Sequence, residues 1–252
     1  MITTPRFIAT TLLVLLGACT QTTSLPSGPA PAAGVPPLIQ AYAQAMANSA
    51  MYSPQNVLPL HPVVADSAGN VRVVTLGTWN PSTGPQTMQR QTWVTVVPEV
   101  RDSCDDWTGE DVKMRLRQLL GLHPADSVAY FVEITAPAAA MFRPTVDPAV
   151  TTQWPCAGGP SASCGLQFPA GVDTAHVVWM ANQMLSSWQV PNGYPQSGQG
   201  QPGLGYPWTR LGYTYNWHPG SPRYGASEYL VRQGAQVNIT AVNTIAAYCA
   251  TS

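Results

Sequence analysis

Between Val128 and Thr135 the side chains alternate so regularly that the backbone is almost dictated. Val128, Tyr130, Val132 and Ile134 fall on one face, and Ala129, Phe131, Glu133 and Thr135 on the other. That period of two belongs to a β-strand. Residues 71–76 and 91–97, rich in Val, Thr and Trp, read as further strands, and residues 80–85 as a turn or hairpin loop between them. Leu211, Tyr213, Tyr215 and Trp217 alternate as another strand. Residues 229–232 and 235–240 flank Gln233-Gly234, which predicts a hairpin. Helices fall among these strands without regular order. Pro36-Pro37 opens one, with Leu38, Tyr42, Ala45 and Met46 on a single face. Thr108 followed by Glu110 and Asp111 has the look of a capping box. Val112, Leu116, Leu119 and Leu120 then follow at helical spacing, and Gly121 stands where the helix should stop. A third helix, over about 173–188, turns Val177, Met180, Ala181, Met184 and Trp188 inward. With no regular βαβ alternation and no repeat, the expectation is a single α+β domain with a mainly antiparallel sheet and about three helices.

The N-terminus has a different logic. Residues 7–16 form an apolar run behind Arg6 and the amino terminus. The run is shorter than the roughly 20 residues a helix needs to cross a bilayer and reads as the apolar region of an export signal. Leu16-Gly17-Ala18-Cys19 follows, and this tetrapeptide resembles the lipobox of bacterial lipoproteins. The resemblance implies a signal peptide over 1–18, cleavage before Cys19, lipidation of the Cys19 sulfur, and attachment to a membrane through that lipid. Thr20, in place of Asp, implies by the same resemblance the outer membrane of a Gram-negative envelope. Residues 19–36 carry Pro26, Pro29, Pro31 and Pro36, a semi-extended tether of roughly 3 Å per residue. The globular α+β domain then spans 37–252.

Once Cys19 carries lipid, Cys104, Cys156, Cys164 and Cys249 remain, an even set suited to disulfides in an exported chain. The short flexible loop between Cys156 and Cys164 favours pairing those two, which leaves Cys104 with Cys249. The long-range bridge ties the C-terminus to the middle of the chain and argues for one domain.

Charged residues are only 9% of the chain and the formal net charge is −1, so no basic footprint for nucleic acid exists. The acidic run Asp102, Asp105, Asp106, Glu110 and Asp111 lacks calcium-loop spacing, and its simpler use is capping and solvation. His61, His123, His176 and His218 are far apart in sequence and form no metal motif. No pattern calls for a metal or cofactor. The most distinctive stretch is aromatic: Tyr194, Tyr206, Trp208, Tyr213, Tyr215, Trp217 and Tyr224 are threaded with Gly and Pro. They offer either a stacking platform for a ligand or a core strand entered by an irregular loop. Residues 196–205, rich in Gly and Gln, read as a loop.

Leu119-Leu120-Gly121-Leu122, Phe142-Arg143-Pro144 with Asp147-Pro148, the string from Tyr206 through Arg210 to Tyr215, and Ser227-Glu228-Tyr229 resemble strings in a group of exported bacterial proteins of unassigned activity. The resemblance implies fixed roles for Arg143, Asp147, Arg210 and Glu228, as buried ion pairs or as pocket walls. Three readings follow. A lipid-anchored domain that binds a protein or envelope component, without catalysis, expects no deep pocket with converging titratable groups. An envelope hydrolase acting on glycan or peptide would use Glu228 or Asp147 with His176 or His218. A carbohydrate-binding module would present Tyr206, Trp208, Tyr213 and Trp217, with Arg210 beside them, as exposed rings.

Overall fold

The alternating segment becomes the strand around which the domain is built. In the computed structural model, which describes residues 36–51, 56–107, 109–155, 167–187 and 205–250, that strand is β4 (Tyr130–Pro137). It pairs antiparallel with β1 (Asn70–Gly77) on one side and β9 (Gln236–Thr244) on the other. Beyond β1 lie β3 (Thr92–Val96), β8 (Tyr229–Val231) and β5 (Met141–Phe142). Beyond β9 lies β2 (Gly84–Thr87), which completes a seven-stranded antiparallel sheet. A separate two-stranded sheet joins β6 (Tyr213–Tyr215) to β7 (Tyr224–Ser227).

This sheet has to curl. In a flat sheet β8 and β9 would stand about 19 Å apart, with β3, β1 and β4 between them. Yet the chain passes from Val231 to Gln236 in a step that reaches at most about 18 Å. The passage from β2 to β3 spans as many strands, β9, β4 and β1, in an equally short step. The two connections meet: Met88 N donates to Ala235 O at 2.9 Å and Gly234 N to Met88 O at 2.8 Å. Gln233-Gly234 is thus a crossing between opposite flanks of the curled sheet, because β8 pairs with β3 and β5 while β9 pairs with β4 and β2. The expected hairpin between residues 229–232 and 235–240 does not form. The expected loop over 80–85 likewise runs into β2 rather than linking β1 directly to β3.

Curling gives the strands two unlike faces. The inner face packs Val71, Val73, Val94, Val132, Ile134, Tyr229, Val231, Val237 and Ile239 into one cluster. The outer face places Val74 and Phe131 against Val100, Leu116, Ile245 and Tyr248, which come from α2 (Glu99–Cys104), α3 (Val112–Leu119) and α5 (Ile245–Cys249). The bridge Cys104–Cys249 joins α2 to α5 on this face, with the Cα atoms 5.5 Å apart. With α1 (Pro37–Ala50) and α4 (Thr174–Ser187), the described residues hold five α-helices rather than three. The extra two, α2 and α5, are too short to produce a helical period in the sequence.

Two helix ends differ in detail from expectation. Asp111, rather than Thr108, caps α3: its carboxylate accepts from Lys113 N at 3.0 Å and Met114 N at 3.2 Å. Thr108 lies outside the described residues. At the other end Leu122 N donates to Arg117 O (2.8 Å) and Gly121 N to Gln118 O (3.4 Å), with Gly121 at φ +66°. This is the Schellman arrangement, which needs a left-handed residue at that place. It turns Leu120, Gly121 and Leu122 back over the outer face. In α4 the buried side chains are His176, Met180 and Ser187. Ala181 is exposed, so the inward stripe is rotated from the expected one. Trp188, Tyr194 and residues 196–204 lie outside the described residues.

Candidate functional site

The outer face is not filled everywhere. Past the end of the α2–α3–α5 layer, a cavity of about 650 Å³ opens between the sheet and its cover. Val74 and Leu76 on β1, Trp93 and Thr95 on β3, and Phe131 on β4 contribute to the floor. The register sets Val74 opposite Thr95 and Leu76 opposite Phe131, and directly opposite residues share a face. The cover is Leu120-Gly121-Leu122, Tyr206-Pro207-Trp208, Thr214-Tyr215 and the last turn of α4. Leu76, Trp93, Leu120 and Leu122 are only half-buried. This is apolar surface held open inside the domain, and the volume falls in the range of about 300–1,000 Å³ that accepts small ligands.

Glu228, just ahead of β8, is the carboxylate in the cavity wall. What surface it keeps borders the cavity, and protein mass surrounds the rest. Burial pushes its pKa up to about 8, against the opposing pull of the Trp208 indole N–H and the positive charge of Arg143. Trp208 Nε1 donates to Glu228 Oε2 at 3.1 Å. Burial thus favours the neutral form of this carboxyl.

The surrounding chain is pinned firmly. Ser227 N and Oγ donate to the two oxygens of Glu99, at 2.7 Å and 2.6 Å, and Thr95 Oγ1 adds a third bond at 3.0 Å. Glu228 N donates to Gly212 O at 2.9 Å. Gly225 passes so close to α3 that a Cβ there would collide with Leu119 O and Thr214 Oγ1. Trp208 packs edge-on against Trp93 and Trp179, with ring centroids 6.0 and 6.2 Å apart.

The structure does not bring Asp147 or the four histidines into this cavity. His176 is buried, with Nε2 2.7 Å from Thr145 O and its ring stacked on Trp179. His218 has Nδ1 2.9 Å from Ser221 Oγ and lies 3.9 Å from Glu110, with its pKa lowered by burial and by Arg115. Neither histidine lines the cavity or comes within hydrogen-bond distance of Glu228 or Asp147, so the expected carboxylate–histidine pair is absent among the described residues. Asp147 organises its own loop instead, accepting from Ala149 N at 3.0 Å and Thr152 Oγ1 at 2.7 Å. His61 and His123 also serve locally: His61 O accepts from Arg143, and His123 Nδ1 from Ala125 N.

The ion pairs expected among Arg143, Asp147, Arg210 and Glu228 are replaced by other contacts. Arg143 is fully buried and its charge is met by neutral oxygens: Nη2 donates to His61 O at 2.7 Å and to the Tyr229 hydroxyl, and Nη1 to Gly212 O at 3.3 Å. Desolvation lowers its pKa. Arg210 adopts φ +62° and donates to Ser49 O at 3.3 Å. The ion pairs form elsewhere: the buried Glu133 is met by the partly buried Arg101 and by the exposed Arg72.

The exposed aromatic platform is also overturned. Trp208, Tyr213 and Trp217 are 7%, 7% and 4% exposed, which is too little to stack a sugar from solvent. Trp217 instead donates to Arg117 O and Leu122 O, both at 3.1 Å, and packs on Tyr42 of α1. The Tyr213 hydroxyl donates to Asn56 O. Tyr206 and Trp208 do reach the cavity, but as its walls.

Of the acidic run, Asp111 caps α3 and Glu110 pairs with Arg115 at 2.8 Å. Among the described residues no three His, Cys, Asp or Glu side chains gather as a metal site, and no helix is long and apolar enough to cross a membrane. Cys19, Cys156 and Cys164 lie outside the described residues.

Arg90 and Trp93 also border the cavity, and no sequence motif singles them out. One signal was available. Residues 91–97 are apolar on both faces, which requires cover on each side of that strand. The chain matches no protein-family model, and no curated protein or solved structure is significantly similar to it.

Proposed function

We propose that this chain is a lipid-anchored envelope protein whose folded domain binds an envelope component in the Glu228 cavity and performs no chemistry on it. The observation that carries the reading is the cavity itself, with half-buried apolar walls and one neutral acid. A hydrolase needs a nucleophile or water activated by a base within about 3 Å. Ser227, the hydroxyl beside Glu228, donates to Glu99, and no imidazole lines the cavity. The binding reading expects no deep pocket with converging titratable groups. Among the described residues the cavity lining holds one perturbed carboxyl and no imidazole beside it, which suits recognition better than catalysis. The anchor rests on the lipobox resemblance at Cys19 and on a folded domain that begins beyond a Pro-rich stretch.

Organic extraction of the protein after incubation with envelope material tests the binding reading. Wild type should yield a bound small molecule, and Ser186→Trp, which plugs the mouth from the exposed side of α4, should yield much less. Equal recovery from both, or release of a cleaved product, overturns the reading. Radiolabelled palmitate should label wild type and leave Cys19→Ala unlabelled. Labelling of Cys19→Ala would contradict the anchor.

A further inference from the structure

The cavity has a direction. Arg90, Gln91 and Ser186 at one end are exposed, whereas Val74, Thr95 and Phe131 at the other are buried. Between them β3 runs along the floor, and the distance from residue 90 to residue 95 in extended chain is about 16 Å. The space is therefore elongated, open at one end and enclosed at the other by apolar side chains together with Thr95 and Glu228.

Its charge is equally one-sided. Arg90 and Glu228 are the charged-type side chains in the lining, and the pairing of Val94 with Tyr229 sets Glu228 beside Thr95, at the end away from Arg90. The other described arginines are engaged. Arg72 and Arg101 meet Glu133, Arg115 meets Glu110, and Arg117 donates to Asp126 O. Arg143 and Arg210 donate to main-chain oxygens, Arg223 bonds Tyr215, and Arg232 lies over the Phe142 ring. The Arg90 guanidinium makes no hydrogen bond or ion pair among the described residues. In a chain with so few charges, an uncommitted cation at the mouth of an apolar cavity is a recognition element for an anion.

We propose that the cavity holds a single-chain amphiphile with an anionic head, the chain lying along Leu76, Trp93 and Phe131 and the head meeting Arg90. This rests on the binding reading above and names its ligand class. The volume suits one chain better than a two-chain lipid. Trp93 and Trp208 supply flat apolar wall, and Gln91 and Ser186 offer hydrogen bonds to the head. Gln91 is held in place by Trp179 Nε1, which donates to its Oε1 at 2.8 Å.

The two wall tryptophans make the test direct. The full chain carrying Cys19→Ser, so that no attached lipid competes, is titrated with dibromostearate and separately with its methyl ester. Bromine quenches tryptophan on contact. The acid should quench with a Kd at least about tenfold below that of the ester. Arg90→Ala should bring the acid to the ester's value, while Arg90→Lys should keep most of the preference. Trp93→Phe should reduce the quenching amplitude. Arg90 is exposed, so these substitutions leave the fold intact. Equal affinity for acid and ester, or a preference that survives Arg90→Ala, overturns the anionic head and leaves the binding reading standing. No quenching by either probe overturns the amphiphile, and the binding reading falls with it only if the envelope extraction is also empty.

Discussion

Two glutamates lie on the outer side of the same sheet and are treated in opposite ways. Glu133, on β4, is met from both sides: Arg72 Nη2 is 3.0 Å from one oxygen and Arg101 Nη2 touches the other, with the Arg101 guanidinium also 4.5 Å above the Tyr248 ring. Glu228, a few strands away, receives one indole N–H and the distant field of Arg143, and burial holds its proton on. A buried carboxylate must be paired or neutralised. This domain does the first where helices close over the sheet and the second where they leave a space. The contrast separates a face built for stability from a face built to receive something.

Breaking the first region should have the larger effect. Glu133→Gln leaves Arg101 without its counter-charge under α5 and should destabilise the fold by about 3–5 kcal/mol, read by urea denaturation. A loss below 1 kcal/mol would mean that solvent reaches the pair. Glu228→Gln should act in the opposite direction. The folded carboxyl has its pKa raised from 4.5 to about 8, so the native state binds the proton more tightly than the unfolded chain. Wild-type stability therefore falls as pH rises from about 4.5 to 8, and levels off above. Glutamine keeps the acceptor for Trp208 but not the titration. It should stabilise the protein by roughly 3 kcal/mol at pH 7, with the gain vanishing below pH ~4.5. Thermal melts of both proteins across that range check the sign. A destabilised variant at pH 7 would contradict it.

Smaller effects sharpen the comparison. Trp208→Phe removes the indole donor, should cost about 1 kcal/mol, and should raise the Glu228 midpoint further, because that bond favours the charged form. Arg72→Ala, whose side chain is 64% exposed, should cost less than about 0.5 kcal/mol. If it costs as much as Glu133→Gln, Arg72 rather than Arg101 is the partner that matters.

Much of this was legible in the chain. The period-2 run at 128–135 marked the central strand, and cysteine spacing matched Cys104 to Cys249. Gly121 after a run of leucines marked the helix stop that aims Leu120 and Leu122 at the cavity. The curl was not legible. It follows from which strands pair across long separations, and Gln233-Gly234 serves a hairpin or a crossing equally well. The aromatic stretch misled for a related reason. Tyr213 and Trp217 show the same alternation whether one face meets solvent or, as here, Val57 and Leu60 cover Tyr213 while α1 and the α3–β4 connection cover Trp217. Glu228 stood out only as a carboxyl in a charge-poor chain. Its character comes from burial, Trp208 and Arg143, which the fold brings together from separate segments.

The protonation of Glu228 tests the contrast between the two glutamates most directly. Selective carbon-13 labelling of glutamate side-chain carboxyls, with the Glu228 resonance assigned by its loss in Glu228→Gln, follows that one group through a pH titration. The midpoint should lie near 8, well above the usual carboxylate range. A midpoint near 4.3 would mean that water or a counter-charge reaches the carboxyl, and the contrast between the two glutamates would be lost.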